Sequence, residues 1–249
     1  MEREEIMDAP PATESQLESL GAEGRVLVVD TSGPVESVAI LERGRLIGER
    51  NTRRDRSKSP GLLDDIDALC EEAGWPIESL SALACGLGPG SFTGLRVGVA
   101  LCKGIAAGIG RPLFGIPSVG ALLAQAPPGS IALLDVRRGE LHAMGGPLKG
   151  ETRPADALID HLATLDPAPP AILGDGALKH RARLLELCPQ LWIPSAPGAH
   201  QIRAAQLPFS MAIASPLHLL EPIYARASDA EINYPNGFPM GAALLERLS

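Results

Sequence analysis

Residues 86–110 read GLGPGSFTGLRVGVALCKGIAAGIG. The first half has the composition of a phosphate-cradling loop, and the second half has the periodicity of a helix. Gly94, Gly98, Gly104 and Gly108 fall inside that helix, where each costs about 1 kcal/mol relative to Ala. Gly90, Gly94 and Gly98 recur every four residues on one face and lead to Cys102, while Gly104 and Gly108 form a second small pair. Small side chains at this spacing admit another backbone closely. The neighbour is either the protein's own sheet or another subunit, and a helix with two faces accommodates both.

The loop departs from the known phosphate motifs. A P-loop needs Lys and then Ser or Thr directly after its second Gly. Here Gly94 is followed by Leu95 and Arg96, and Lys103 comes two turns later. A dinucleotide fingerprint follows the first strand of its unit, whereas this loop follows the fourth expected strand. A nucleophile elbow needs Gly two residues before its Ser, and that position holds Pro89. Ser91 therefore reads as a helix N-cap.

The order of elements around the loop sets the fold class. Val26–Val29 is an unbroken apolar run, as in a strand buried on both faces. Ser37–Leu41 and Leu46–Asn51 follow as a hairpin turning at ERGR. A first helix starts near Ser59 and Pro60 and stops at Gly74 and Pro76. SALACGL at 81–87 is a fourth strand, RPLFGIP at 111–117 a fifth, and Val119–Gln125 opens another helix. The order βββαβαβα is thus expected, closed by the linker APPG at 126–129. A second block then repeats the opening on a smaller scale: Ile131–Leu134 ending in Asp135, a tight turn, and Glu140–Met144. AILGDGALKHRARLLEL at 171–187 reads as strand, turn and helix. PSAPGAHQIRAAQ reads as loop and helix, EPIYARASD as extended, and Gly241–Leu248 as helical.

Composition narrows the function classes. The chain has 249 residues, 45% of them hydrophobic and 21% charged, as in a soluble globular protein. Aromatics make up only 3%, so the core is built from aliphatic and small side chains. Seven of the 30 acids lie in residues 1–24 beside one base, and the remaining residues carry 23 acids against 21 bases. The opening segment 1–24 is expected to be an acidic disordered tail. A nearly neutral body does not mark a strong nucleic-acid binder. Cys70, Cys85, Cys102 and Cys188 form no CxxC pair and read as reduced, buried thiols. The N-terminus lacks the apolar segment of a secretory signal, and no run of about 18 apolar residues stands out, so a cytoplasmic protein without membrane contact is expected.

Other chemistry-bearing residues each carry two readings. Asp30 after the first strand either orients metal-bound phosphates or caps a hairpin, and Asp135 has the same pair of roles. Gly174 and Gly176 in GDGA either lie under a nucleotide or form a plain turn. The five histidines make no HxH, HxxxH or HExxH pair, which argues against a metal site. Arg50, Arg53, Arg54, Arg56 and Lys58 either touch RNA phosphates or an acidic partner, or form a solvated loop.

GLGPGSFTGLRVG closely resembles the signature of the TsaB (YeaZ) family of bacterial tRNA-modification proteins. VLVVDTS, ILGDGA, PSA at 194–196 and PIYAR at 222–226 resemble further family landmarks in the right order, over about residues 25–228. LDVRRGELH is similar to the family's DARRGEVY, with Val136 in place of the usual Ala. The resemblance implies an α/β ASKHA fold (the architecture of actin, Hsp70 and acetate kinase) with two ribonuclease-H-like lobes, residues 25–128 and a reduced 129–249. It implies a non-catalytic dimerisation subunit, without cofactor or metal, for the catalytic paralogue TsaD. TsaE, an ATPase, joins indirectly, and tRNA is met only through the complex. The transferred group is threonylcarbamoyl, and its acceptor is N6 of the adenosine next to the anticodon of ANN-reading tRNAs. The catalytic paralogue holds its metal with an HxxxH pair on a helix, whereas the first helix region here reads RSKSPGLLDDID. The family's first two helices bundle with the partner's, which makes Leu62, Leu63, Ile66, Gly94, Leu95, Gly98, Val99 and Lys103 the expected interface. A homodimer is expected when the partner is absent. Asp30, Thr31, Asp135, Gly174 and Gly176 would mark a vestigial nucleotide site. The competing readings are an ASKHA phosphotransferase with its own ATP site, a peptidase acting through Ser91 or a metal, and a stand-alone RNA-binding protein.

Overall fold

The computed structural model describes residues 24–53 and 61–226. The expected acidic tail, most of the basic loop, the Ser59–Pro60 helix start and the helix at 241–248 lie outside them.

β1 (Arg25–Asp30), β2 (Val35–Glu42) and β3 (Arg45–Arg53) form an antiparallel meander. The β2–β3 turn has Arg43 and Gly44 at φ 51° and 70°, the primed geometry that matches the twist of a tight hairpin. β4 (Ala82–Gly88) and β5 (Leu113–Pro117) add parallel to β1 and to β4. With β10 (Ile213–Ala214) the first sheet has the order β10-β5-β4-β1-β2-β3. β6 (Ile131–Asp135), β7 (Glu140–Gly145), β8 (Leu148–Pro154) and β9 (Ile172–Leu173) form a second sheet ordered β8-β7-β6-β9. In each lobe three antiparallel strands precede a parallel one added beside the first. This is the duplicated ribonuclease-H-like order of an ASKHA-type fold, reduced in the second lobe as expected.

Both faces of the first sheet are covered, which explains why Val26–Val29 of β1 and all of β4 carry no polar side chain. Leu27 and Val29 point to one face, beneath α1 (Leu62–Ala73) and α2 (Phe92–Ile109), in a core with Ile66, Leu69, Val99, Cys102 and Ala106. Val26 and Val28 point to the other, where they share a core with Ala132, Leu134, Ala171 and Leu173 of the second lobe. The lobes are therefore joined by continuous apolar packing. A third core lies beneath the outer helices of the second lobe, α4 (Ala155–Ala163) and α6 (Arg181–Leu187). Two shorter helices, α3 (Gly120–Leu123) and α5 (Asp175–Lys179), complete the set among the described residues.

The structure corrects several boundaries. α1 begins at Leu62, with Gly61 at the cap position donating its N–H to Asp64 Oδ2 at 2.6 Å. β8 and α4 are absent from the sequence reading, although Leu158, Ile159 and Leu162 carry a helical period and pack in the third core. PSAPGAHQIRAAQ forms single 3₁₀ turns at Pro197–His200 and Ala204–Gln206 rather than a helix. The segment assigned to the second lobe also returns to the first, because Ile213 and Ala214 pair with Gly115 and Phe114 of β5. The final extended strap bridges the two lobes. Ile223 N–H donates to Leu87 O at 2.7 Å, and Thr152 Oγ1 donates to Ala225 O at 2.8 Å. Since that hydroxyl donates to Ala225, it accepts from His142 Nδ1 at 2.9 Å, which fixes the proton on that nitrogen.

Candidate functional site

Asp30 ends β1 and is fully buried. Its Oδ1 accepts from the Ser32 N–H at 2.9 Å and the Ser32 hydroxyl at 2.6 Å, and its Oδ2 accepts from Ser118 Oγ at 2.5 Å. Ser118 Oγ in turn accepts from Gly88 N–H at 2.9 Å. One carboxylate thus ties the ends of β1, β4 and β5 together. Burial raises its pKa, and the hydroxyl hydrogen bonds only partly oppose the shift. Thr31, also buried, donates to Gly94 O at 2.7 Å. Of the two readings of Asp30, the geometry selects the capping one: both oxygens are occupied, and neither Asp30 nor Thr31 opens to the cleft between the lobes.

The glycines of the loop meet this cluster. A Cβ at Gly90 would overlap the Ser32 backbone carbonyl, and one at Gly98 would overlap Thr31 Oγ1. These two glycines let the loop and α2 lie directly on the β1 turn. Ser91 caps α2, its hydroxyl accepting from Gly94 N–H at 3.3 Å. Among the described residues no histidine or lysine is hydrogen-bonded to Ser91, so no base is in place to activate it as a nucleophile.

Of the second-lobe members of the expected nucleotide site, Asp135 lines the cleft between the lobes together with Asp175, whereas Gly174 and Gly176 do not. Asp135 pairs with Lys179 Nζ at 2.6 Å and accepts from Arg137 N–H at 2.9 Å. Partial burial pushes its pKa up, but Lys179 and Arg137 leave it below the ordinary carboxylate value. Asp175 accepts from the N–H groups of Asp135 at 3.0 Å and Gly176 at 2.9 Å, and burial raises its pKa. Gly174 (φ 110°) and Gly176 lie against the Leu133 carbonyl, where a side chain would collide. Both glycines therefore serve the packing of α5 on β6. No group of three or more His, Cys, Asp and Glu side chains suited to a metal occurs among the described residues.

The eight expected interface residues divide by burial. Leu62, Ile66, Gly94, Leu95, Gly98 and Val99 are buried on their own lobe, which corrects the expectation that they face a partner. Periodicity finds the apolar stripe of each helix, but that stripe is the one turned toward the sheet. Leu63 is 50% exposed and Lys103 partly so, which leaves these two outward. Sequence reasoning missed the rest of the outer face of α2: Val97, 48% exposed, with Ala100, Gly104, Ala107 and Gly108. A Cβ at Gly104 or Gly108 would meet nothing within 4 Å. These two glycines weaken the helix and gain no packing among the described residues. At 18 residues and mean hydropathy 1.4, α2 also matches a membrane span by length and composition, contrary to the sequence expectation, yet it carries Arg96 and Lys103 and is buried along its inner face.

Comparison with known proteins follows the same lines. Residues 55–174 match the family model of TsaD, a tRNA N6-adenosine threonylcarbamoyltransferase. An uncharacterized protein of Mycobacterium tuberculosis is 30% identical over 208 residues, covering 83% of this chain and 93% of its own. The tRNA threonylcarbamoyladenosine biosynthesis protein TsaB of Haemophilus influenzae is 34% identical over 122 residues, 47% of this chain and 51% of that protein. The structure of YeaZ from Pseudomonas aeruginosa superposes with a TM-score of 0.62 at 22% identity, over 81% of this chain and 99% of that one. These sequence relatives show that the chain belongs to the TsaB (YeaZ) family, and the YeaZ superposition shows the shared fold.

Proposed function

We propose that this chain is a non-catalytic subunit that binds a TsaD-type threonylcarbamoyltransferase through the outer face of α2, and so serves threonylcarbamoylation of tRNA in the cytoplasm. The carrying observation is that face: Val97, Ala100, Gly104, Ala107 and Gly108 form one exposed stripe, and Leu63 stands outward on α1, whose core face is shared with that of α2. Exposed apolar surface of this kind favours association. Glycines that no contact among the described residues explains are accounted for by a second helix crossing closely. The occupied carboxylate of Asp30 and the capping role of Ser91 support leaving the chemistry to the partner. In this reading tRNA is met through the assembly, TsaE joins it indirectly, and the chain pairs with itself when the partner is absent.

Reconstitution tests the proposal. The TsaD protein of the same organism is supplied with threonylcarbamoyl-adenylate, TsaE, ATP and tRNA, and this chain is added or omitted. Modified adenosine is read by mass spectrometry of the digested tRNA. Modification is expected only with both proteins present, and none is expected from this chain without TsaD. Turnover by this chain without TsaD would overturn the proposal, as would full activity of TsaD without this chain.

A further inference from the structure

β3 is the outer strand of the first sheet, so one side of its backbone has no strand beside it among the described residues. Its first half carries two exposed apolar side chains, Leu46 and Ile47. Leu46 lies opposite Leu41 and Gly48 opposite Ile40, which leaves Ile47 as the extra residue of a bulge. Arg43 and Arg45 precede this pair and are exposed. Neither guanidinium has a hydrogen-bond or ion-pair partner among the described residues, whereas Arg25 is held by Glu42 at 3.0 Å. A sheet edge that offers apolar side chains pairs with other chains unless something covers it.

The chain enters the fold at this same corner. Gly24 O accepts from Arg43 N–H at 3.0 Å, so the first described residue is bonded to the β2–β3 turn. The preceding residues 1–23 hold seven acids against the single base Arg3. Nearest the entry they read ESQLESLGAE at 14–23. Leu17 and Leu20 stand there among Glu14, Glu18 and Glu23. Two apolar side chains among carboxylates thus start beside two apolar side chains among arginines. Leu20 is four residues before Gly24, a reach of at most about 14 Å, and Ile47 is four residues past Arg43, within the same span.

We propose that residues 14–23 dock on the β2–β3 corner of their own chain and cover this sheet edge, Leu17 and Leu20 against Leu46 and Ile47, and the glutamates against Arg43 and Arg45. The apolar contact removes four side chains from water, and the charges select the corner. A tethered segment needs little intrinsic affinity, because a short tether sets a millimolar effective concentration. The β3 edge of a second copy suits the corner less well. It brings its own arginines, and its one acid, Glu49, is taken by Arg203. The inference concerns this chain alone and is independent of its association with a transferase.

Amide hydrogen exchange of the purified full chain, read by mass spectrometry on peptides covering residues 14–23, tests it. Those amides are expected to exchange about tenfold more slowly than the same sequence in a free peptide, as for a segment that opens locally. The protection should be the same at high and low protein concentration and should fall as salt is raised. Ile47→Asp and Arg45→Glu should each cut it to about threefold or less. Arg45 is exposed, so Arg45→Glu reads the surface even where Ile47→Asp alters β3. Arg183→Glu makes the same charge change on α6, among exposed pairs with Asp160 and Glu186, and should leave the protection as in the parent. The proposal is overturned if residues 14–23 exchange as the free peptide does, or if both β3 variants keep the parent's protection. It is equally overturned if the protection disappears on dilution, which would assign the corner to a second copy.

Discussion

Replacing Asp30 by Ala is expected to destabilise the chain by about 3–5 kcal/mol, because it strands several buried donors at once. The Ser32 N–H, the Ser32 hydroxyl and the Ser118 hydroxyl all lose their acceptor, and Ser118 is the group that receives Gly88 N–H. The ends of three strands and the entry to α2 depend on that cluster. Urea unfolding of the two proteins measures the loss. A loss under about 1 kcal/mol would show that the cluster is dispensable. Asp30→Asn adds a pH test. Burial raises the folded-state pKa above its ordinary value of 3.8, so the folded chain keeps this proton to a higher pH than the unfolded chain does. The stability linked to Asp30 is then fully present below the unfolded pKa and is lost as pH rises through the folded one. The stability of the parent minus that of Asp30→Asn should fall as pH is raised from about 4 toward 7. A difference that grows over that range would contradict the assignment.

Two glycines of one helix should respond to alanine with opposite signs. At Gly98 the added methyl overlaps Thr31 Oγ1, which is fixed by its bond to Gly94 O. Overpacking of this kind costs about 1–3 kcal/mol. At Gly104 the added methyl meets nothing, so the isolated chain should gain about 1 kcal/mol of helix stability. The same Gly104→Ala change should weaken association about tenfold or more, since it thickens the surface where another helix must cross closely. Thermal melts of the isolated variants and titration against the partner read the two effects separately. Gly104→Ala destabilising the isolated chain would mean that this face already has an intramolecular use.

The strands were legible because their patterns are strong. Val26–Val29 and the hairpin at Arg43–Gly44 announce themselves by an unbroken apolar run and by turn chemistry, and Leu113–Pro117 is bounded by turn residues. β8 was not legible, since LKGETRP is a half-exposed edge strand with little alternation. The outer face proposed as the interface could not be read because helical periodicity reports the buried stripe. Leu62, Ile66, Leu95 and Val99 satisfied it and proved to be core. The glycines held a signal that spacing could not divide: Gly98 is small for the Thr31 turn beneath it, while a Cβ at Gly104 or Gly108 would meet nothing among the described residues. Asp30 kept two readings, phosphate-orienting and hairpin-capping, because its partners, Ser32 and Ser118, are 2 and 88 residues away, and the second is invisible to local pattern.

The central claim is that the outer face of α2 is where this chain meets a TsaD-type partner. Sedimentation of the purified chain with the TsaD protein of its own organism tests it most directly, comparing the parent with Val97→Asp. Val97 is half exposed and is no member of a buried core cluster, so the substitution should leave the melting temperature unchanged. The account predicts a stable complex with the parent and affinity lower by about 100-fold for Val97→Asp, the scale of a charge buried in an apolar contact. A parent that sediments alone, or a Val97→Asp variant that binds as the parent does, would contradict it.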